Sequence, residues 1–155
     1  MEYKETFPPE SGEIKNRIVN YWTQRSHAFS ELREKEQVSE TGQAWLAEIV
    51  QNLPSGKKLK ILDIGCGTGM FALMLSQLGH DTTGIDLTEH MVLHARELAA
   101  KQHSSAKFFC MDAESPAFAD NTFDILLTRN LTWTLPTRSR LMRSGSASSK
   151  AAASC

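Results

Sequence analysis

An α/β fold, with helices first and then a parallel sheet covered by helices, is predicted by two features of the chain. From Leu59 onward, short apolar runs bounded by turns alternate with helical stretches, which is how parallel strands joined by crossover helices read in sequence. Ahead of them, between Ile14 and Leu53, apolar residues recur at helical rather than alternating spacing.

Taken in order, residues 1–10, with Pro8 and Pro9, read as a loose arm. Ser11, Gly12 and Glu13 can open a helix as N-cap and acidic first turn. Ile14, Ile18, Tyr21, Trp22, Phe29 and Leu32 continue it, with a break expected near Ser26. A second helix starts at about Ser39, carries Ala44, Trp45, Ile49 and Leu53 on one side, and stops where Leu53, Pro54, Ser55 and Gly56 cluster. Strands are expected at 59–64, 82–85, 106–110 and 123–128, with helices over Phe71–Gln77 and Glu89–Lys101 between them. Gly79 suits the C-terminal cap of the first of these helices. Thr88 suits the N-cap of the second, and Asp120 with Asn121 turns the chain into the fourth strand.

With 155 residues, 41% of them apolar and 23% charged, and a formal net charge of −1, the composition is that of one soluble domain. No basic run precedes residue 137, so nothing points to nucleic acid. No apolar run approaches the ~20 residues that span a bilayer, and the acidic start, Met1 to Glu13, lacks the apolar stretch of a signal peptide. The expectation is a cytoplasmic protein with no nucleic-acid and no membrane partner. Cys66, Cys110 and Cys155 have no metal-binding or redox spacing and read as small buried or incidental thiols. His90 and His94 stand at i,i+4, but no carboxylate or cysteine pattern completes a metal site, so His27, His80, His90, His94 and His103 read as surface residues and no metal is expected.

The chemistry is concentrated in one run: Lys60, Ile61, Leu62, Asp63, Ile64, Gly65, Cys66, Gly67, Thr68, Gly69. It is a buried strand that passes through a glycine-rich turn into a helix. Glycines at alternate positions allow positive φ and leave no Cβ, so a ligand can press against the backbone there. A dinucleotide site would want glycines at 65, 67 and 70, but position 70 is Met70 and the third glycine is Gly69. Asp63, two residues before the first glycine, suits a cationic ligand better than a phosphate.

This stretch resembles motif I of class I S-adenosylmethionine-dependent methyltransferases, and later segments follow that family's order. Gly84, Ile85, Asp86 and Leu87 resemble the end of its second strand; the resemblance implies that Asp86 accepts hydrogen bonds from the ribose hydroxyls. Cys110, Met111, Asp112, Ala113 and Glu114 resemble the acidic turn in which Asp112 takes the adenine amino group. Met91 is a candidate cover for one adenine face. Phe118 to Ile125 resembles the approach to the fourth strand, where Asp124 reads as a structural strand-end acid. Arg129, Asn130 and Leu131 to Pro136 resemble the loop that faces the cofactor. The implied cofactor-binding set is therefore Asp63, Gly65, Cys66, Gly67, Gly69, Asp86, Leu87, Met91, Asp112, Ala113, Arg129 and Asn130. Tyr21, Trp22 and Arg25 are candidate lid residues, with core packing an equal reading for the two aromatics. No catalytic residue is identified.

The resemblance implies S-adenosyl-L-methionine as cofactor, a small-molecule methyl acceptor, and the first half of a Rossmann-like sheet in the order 3-2-1-4. Two alternatives stay open on the sequence: a noncatalytic S-adenosylmethionine-binding domain and an NAD-dependent oxidoreductase. The organisation expected is a helical lid segment over residues 1–56, a cofactor-binding half-domain over 57–136 and a tail over 137–155. The tail holds four basic residues, six serines and no acid, and reads as disordered and foreign to the domain. Suitable codons for Thr137 to Cys155, read one nucleotide earlier, can spell a family-like helix and glycine turn, so a frameshift is the hypothesis for it. On that reading the C-terminal half of the family's sheet is missing. Strand four is then an apolar edge open to non-specific self-association, and the chain is a weakly active or inactive methyltransferase.

Overall fold

A computed structural model of the chain describes residues 9–129. Helices α1 (Pro9–Gln37) and α2 (Glu40–Gln51) precede strand β1 (Lys60–Ile64), helix α3 (Met70–Gln77), strand β2 (Asp81–Asp86), helix α4 (Glu89–Lys101), strand β3 (Lys107–Cys110) and strand β4 (Ile125–Thr128). The strands form one parallel sheet in the order β3-β2-β1-β4, as expected. The tail beyond residue 136 and the loop from Asn130 to Pro136 lie outside the described residues. No described helix is long and apolar enough to cross a membrane.

The alternation of β1 sorts its side chains onto two faces. Ile61 packs with Leu59, Met70, Phe71, Met74, Leu75 and Leu127 beneath α2, whose Ile49 joins the same cluster. Phe108 of β3 carries this face onward against Val92, Ala95 and Leu98 of α4 and Leu73 of α3. Leu62, Ile64 and Ile85 point the other way, toward Met111, Phe118, Phe123 and Leu126. Apolar runs that are buried on both faces are what parallel strands require.

Most elements fall where the sequence puts them, with two corrections. Helix α1 starts at Pro9 rather than after Ser11, because a proline at the first helical position gives up an N–H that has no intrahelical partner anyway. It then runs unbroken through Ser26, whose hydroxyl donates to the Thr23 carbonyl at 3.0 Å and so is satisfied inside the helix. Smaller shifts occur at strand ends. β4 begins at Ile125 because Asp124 is tied to Lys60, accepting from its N–H at 2.8 Å and donating its own N–H to its carbonyl at 2.8 Å. That is the structural role expected of Asp124. Gly79 (φ 93°) ends α3 as predicted, with Gly79 N–H to Ser76 O and His80 N–H to Leu75 O. Thr88 is the N-cap of α4, as expected; its side chain makes no capping bond, and its own N–H donates to Asp86 Oδ1 at 2.9 Å.

The α1–α2 junction is set by one close approach. Ser39 caps α2 by accepting the Gly42 N–H at 3.1 Å, and its own hydroxyl donates to Glu36 O at 2.7 Å. A Cβ on Gly42 would collide with that Glu36 carbonyl. Helix propensity favours alanine over glycine by about 1 kcal/mol, so Gly42→Ala at an uncrowded site would stabilise. Here the clash reverses the sign, and a loss of about 1–3 kcal/mol is expected in urea unfolding; a stabilised variant would contradict this packing.

Candidate functional site

The turn between β1 and α3 needs three glycines in the left-handed region: Gly65 (φ 68°), Gly67 (φ 55°) and Gly69 (φ 82°). The N–H groups of Gly65 and Cys66 both donate to Ile85 O, at 2.8 and 2.9 Å, which folds the turn back over the end of β2. Asp86 completes the join. Its Oδ2 accepts the Gly67 N–H at 3.0 Å while its Oδ1 holds Thr88, so one carboxylate fixes the β1–α3 and β2–α4 turns against each other. Burial pushes the Asp86 carboxyl above its ordinary range, against the opposing pull of those N–H donors.

Asp63 lies beneath the turn, 4% exposed. One side of its carboxylate takes the Ala72 N–H, whereas Oδ2 is buried without a hydrogen-bond partner. Burial, reinforced by the nearby Asp86 charge, raises its pKa to about 7. Burial also pushes the Cys66 thiol well up, aided by Asp63 and Asp86, so this is not a reactive thiolate. Thr68 Oγ1, on the same turn, is likewise buried and unpartnered.

Over this floor lies α1. Between them is a cavity of about 710 Å³, lined from above by Ile14, Arg17, Ile18, Tyr21, Trp22, Phe29 and Arg33 and from below by the turn, Met70, Phe71, Asp86, Met91 and Arg129. Tyr21 and Trp22 pack edge to face at 5.2 Å between ring centres, as do Trp22 and Phe29. The Phe29 ring would sit 3.1 Å from a Cβ on Gly67, so that glycine is what lets the helix come so close.

Of the residues singled out in the sequence, the structure brings Asp63, Gly65, Cys66, Gly67, Asp86, Met91 and Arg129 to the cavity wall, with Tyr21 and Trp22 above them. Asn130 lies outside the described residues. Arg25 is not on the wall; its guanidinium stacks on Tyr21 at 3.9 Å. Gly69 is not there either, and its lack of a Cβ serves packing: a Cβ would come within 2.5 Å of the Phe108 ring. Leu87, Asp112 and Ala113 stand off the wall. Asp112 is engaged from α1, where Lys15 Nζ reaches its Oδ2 at 2.6 Å and Glu114 at 2.5 Å. Burial alone would lower the Lys15 ammonium, but hydrogen bonding and charge from both acids leave it raised.

Sequence reasoning missed Arg17, Thr68 and Arg33 on the cavity wall, and the Lys15 contact to Asp112 off it. For Arg33 a signal was present: it continues the 18, 22, 29 spacing of the α1 face that covers the cavity. Met70, 5% exposed, fills the position where a pyrophosphate site would need glycine. Among the described residues, no group of three His, Cys, Asp or Glu could hold a metal.

Residues 61–147 match the family model described as a methyltransferase domain. The chain is 37% identical over 73 residues to malonyl-[acyl-carrier protein] O-methyltransferase of Pectobacterium atrosepticum, covering 47% of this chain and 27% of that one. It is 33% identical over 94 residues to phosphoethanolamine N-methyltransferase 3 of Arabidopsis thaliana, covering 60% and 19%. A solved SAM-dependent methyltransferase from Methanosarcina mazei is similar at 30% identity and a TM-score of 0.56, over 63% of this chain and 49% of that one. The chain thus spans about a quarter of the length of these curated relatives.

Proposed function

The chain belongs to the methyltransferase-domain family that its residues 61–147 match, and from that premise we propose that the cavity under α1 binds S-adenosylmethionine and presents its methyl group to a small-molecule acceptor. The observation that carries this reading is the pairing of Asp86 and Asp63 at the glycine turn. Asp86 is fixed by two backbone N–H groups, and its remaining lone pairs are available to ribose hydroxyls. Asp63 offers a buried carboxylate oxygen with no partner, which is costly unless a donor or cation meets it. A cavity of about 710 Å³ accommodates a ligand of this size.

When bound, the cofactor supplies an electrophilic methyl group on a cationic sulfur. The residues of the chain do the rest. The glycine turn and Asp86 fix orientation, Met91 offers an apolar, polarisable wall, and Ile14, Ile18, Trp22 and Phe29 exclude water from above. In-line transfer depends chiefly on such alignment. Assay of radiolabelled methyl transfer from S-adenosylmethionine to a panel of small metabolites tests the catalytic half of the proposal; cofactor binding with no transfer to any of them would reduce the function to binding.

The protonation of Asp63 gives a second test. Its folded pKa of about 7 lies above the ordinary value of 3.8. The contribution of Asp63 to stability is therefore fully present at low pH and is lost as pH rises from about 4 through about 7. A cation in the cavity favours the carboxylate, so binding below pH ~7 must expel the proton. Affinity for S-adenosylmethionine should rise with pH by up to about tenfold per unit and level off above ~7. Asp63→Asn should flatten this component of the profile. Calorimetry in buffers of different ionisation heats counts the released proton; the same profile in parent and variant would contradict the assignment.

A further inference from the structure

Helix α1 is held very differently at its two ends. Its C-terminal half is tied to several neighbours. Gln37 and Gln102 exchange side-chain hydrogen bonds at 3.1 and 3.2 Å, Gln77 joins them at 3.1 Å, and Lys101 reaches Glu34 at 3.2 Å, which fixes this half to the C-terminal ends of α3 and α4. Gln43 of α2 donates to Gln37 O at 2.9 Å, and Arg129, just beyond β4, donates to Glu36 Oε1 at 3.5 Å. The N-terminal half has no such anchorage. Ile14, Ile18, Tyr21 and Trp22 line the cavity without joining the core clusters, and Ile14 and Tyr21 stay half-exposed. Among the described residues, the polar contacts from positions 12–22 to the rest of the domain are those of Lys15.

Lys15 is gripped by the turn after β3. Its ammonium lies 2.6 Å from Asp112 Oδ2 and 2.5 Å from Glu114 Oε2, and the three side chains are only 10%, 19% and 4% exposed. The Glu114 N–H donates to Asp112 Oδ1 at 2.9 Å, so both Asp112 oxygens are engaged and the two acids converge on one cation. Asp112 is the residue to which the family resemblance gives the adenine amino group, yet it stands off the cavity wall with Lys15 on it. An ammonium shared by two carboxylates and largely shielded from water is a firm hold on a segment with few apolar contacts, because removing it strands two partly buried charges.

We propose that Lys15 is a latch that holds the N-terminal half of α1 down by occupying the carboxylate that the adenine amino group takes, so that cofactor entry and the lifting of α1 are coupled through Asp112. The C-terminal half of α1 is the fixed end about which the other half moves. Cofactor arriving at Asp112 displaces Lys15, and its departure lets Lys15 return. The competition for Asp112 rests on the cofactor reading, whereas the hold of Lys15 on α1 does not.

The test uses the full chain and three variants: Lys15→Met, which removes the latch, Lys15→Arg, which keeps its charge, and Glu114→Gln, which weakens the grip without altering Asp112. Unchanged circular dichroism shows that each is folded. Opening is read without any ligand, as iodoacetamide alkylation of Cys66, which lies on the cavity floor under α1, located by peptide mass. Alkylation should be about tenfold faster in Lys15→Met, less accelerated in Glu114→Gln and close to the parent in Lys15→Arg. Competition is read by calorimetry with S-adenosylhomocysteine and with S-inosylhomocysteine, in which a carbonyl oxygen replaces the amino group. Lys15→Met should tighten S-adenosylhomocysteine about tenfold and leave S-inosylhomocysteine within about twofold of the parent. Parental alkylation rates in both Lys15→Met and Glu114→Gln overturn the latch. Weaker S-adenosylhomocysteine binding in Lys15→Met, or an equal response of the two nucleosides, overturns the competition at Asp112. If the parent binds neither nucleoside, the cofactor reading fails instead, and Cys66 alkylation still decides the latch.

Discussion

Asp86→Ala is expected to weaken S-adenosylhomocysteine binding by about a hundredfold or more. Each hydrogen bond to a carboxylate contributes about 1.5–3 kcal/mol, and two to a ribose would exceed the 1.4 kcal/mol per tenfold twice over. The substitution also frees the Gly67 and Thr88 N–H groups that Asp86 now holds at 3.0 and 2.9 Å, so the two turns lose their common tether. Because burial already raises the Asp86 carboxyl, removing it relieves a desolvation penalty in the empty protein, and thermal stability should fall far less than affinity does. Asp86→Asn keeps one acceptor and should fall between parent and alanine variant. Calorimetric titration checks all three. An alanine variant that binds within threefold of the parent would show that Asp86 only braces the turns.

Gly69→Ala should be strongly destabilising. The residue sits at φ 82°, where a Cβ costs about 1–2 kcal/mol. The added carbon would also approach two atoms of the Phe108 ring to 2.5 Å and the Ala95 Cβ to 3.2 Å. Phe108 is 3% exposed and wedged between α3 and α4, so it cannot swing away, and overpacking of this kind costs about 1–3 kcal/mol more. A total of about 2–5 kcal/mol is a large fraction of the roughly 5–15 kcal/mol that holds a domain together. Combining it with Phe108→Leu separates the two contributions. If the ring is the obstacle, the double variant is more stable than the sum of the single losses predicts. Strict additivity in urea unfolding would leave only the backbone contribution.

The strand–turn–helix core was legible because its signals are local. Asp63, Gly65, Gly67, Asp86 and Met91 lie in short runs whose spacing dictates both the turn and what can approach it, and the structure puts all five on the cavity wall. The roles that escaped sequence reading depend on pairs distant in the chain. Lys15 meets Asp112 across 97 positions, and Arg129 meets Glu36 across 93. Neither pairing has any local signature. Gly69 shows the same dependence on distant residues: its spacing suits a ligand turn, but it lies off the wall and its missing Cβ makes room for Phe108 on β3. Helix α1 was broken too early in the sequence reading because a serine mid-helix usually competes for the backbone, whereas Ser26 bonds back to Thr23 within the helix.

The central claim is that the cavity between α1 and the glycine turn is an S-adenosylmethionine site. Competitive calorimetry of the full chain with S-adenosylhomocysteine and NAD tests it most directly. One S-adenosylhomocysteine should bind per chain, undisturbed by excess NAD and weakened about a hundredfold by Asp86→Ala. Binding of NAD in its place, or S-adenosylhomocysteine binding that is indifferent to Asp86, would contradict the account.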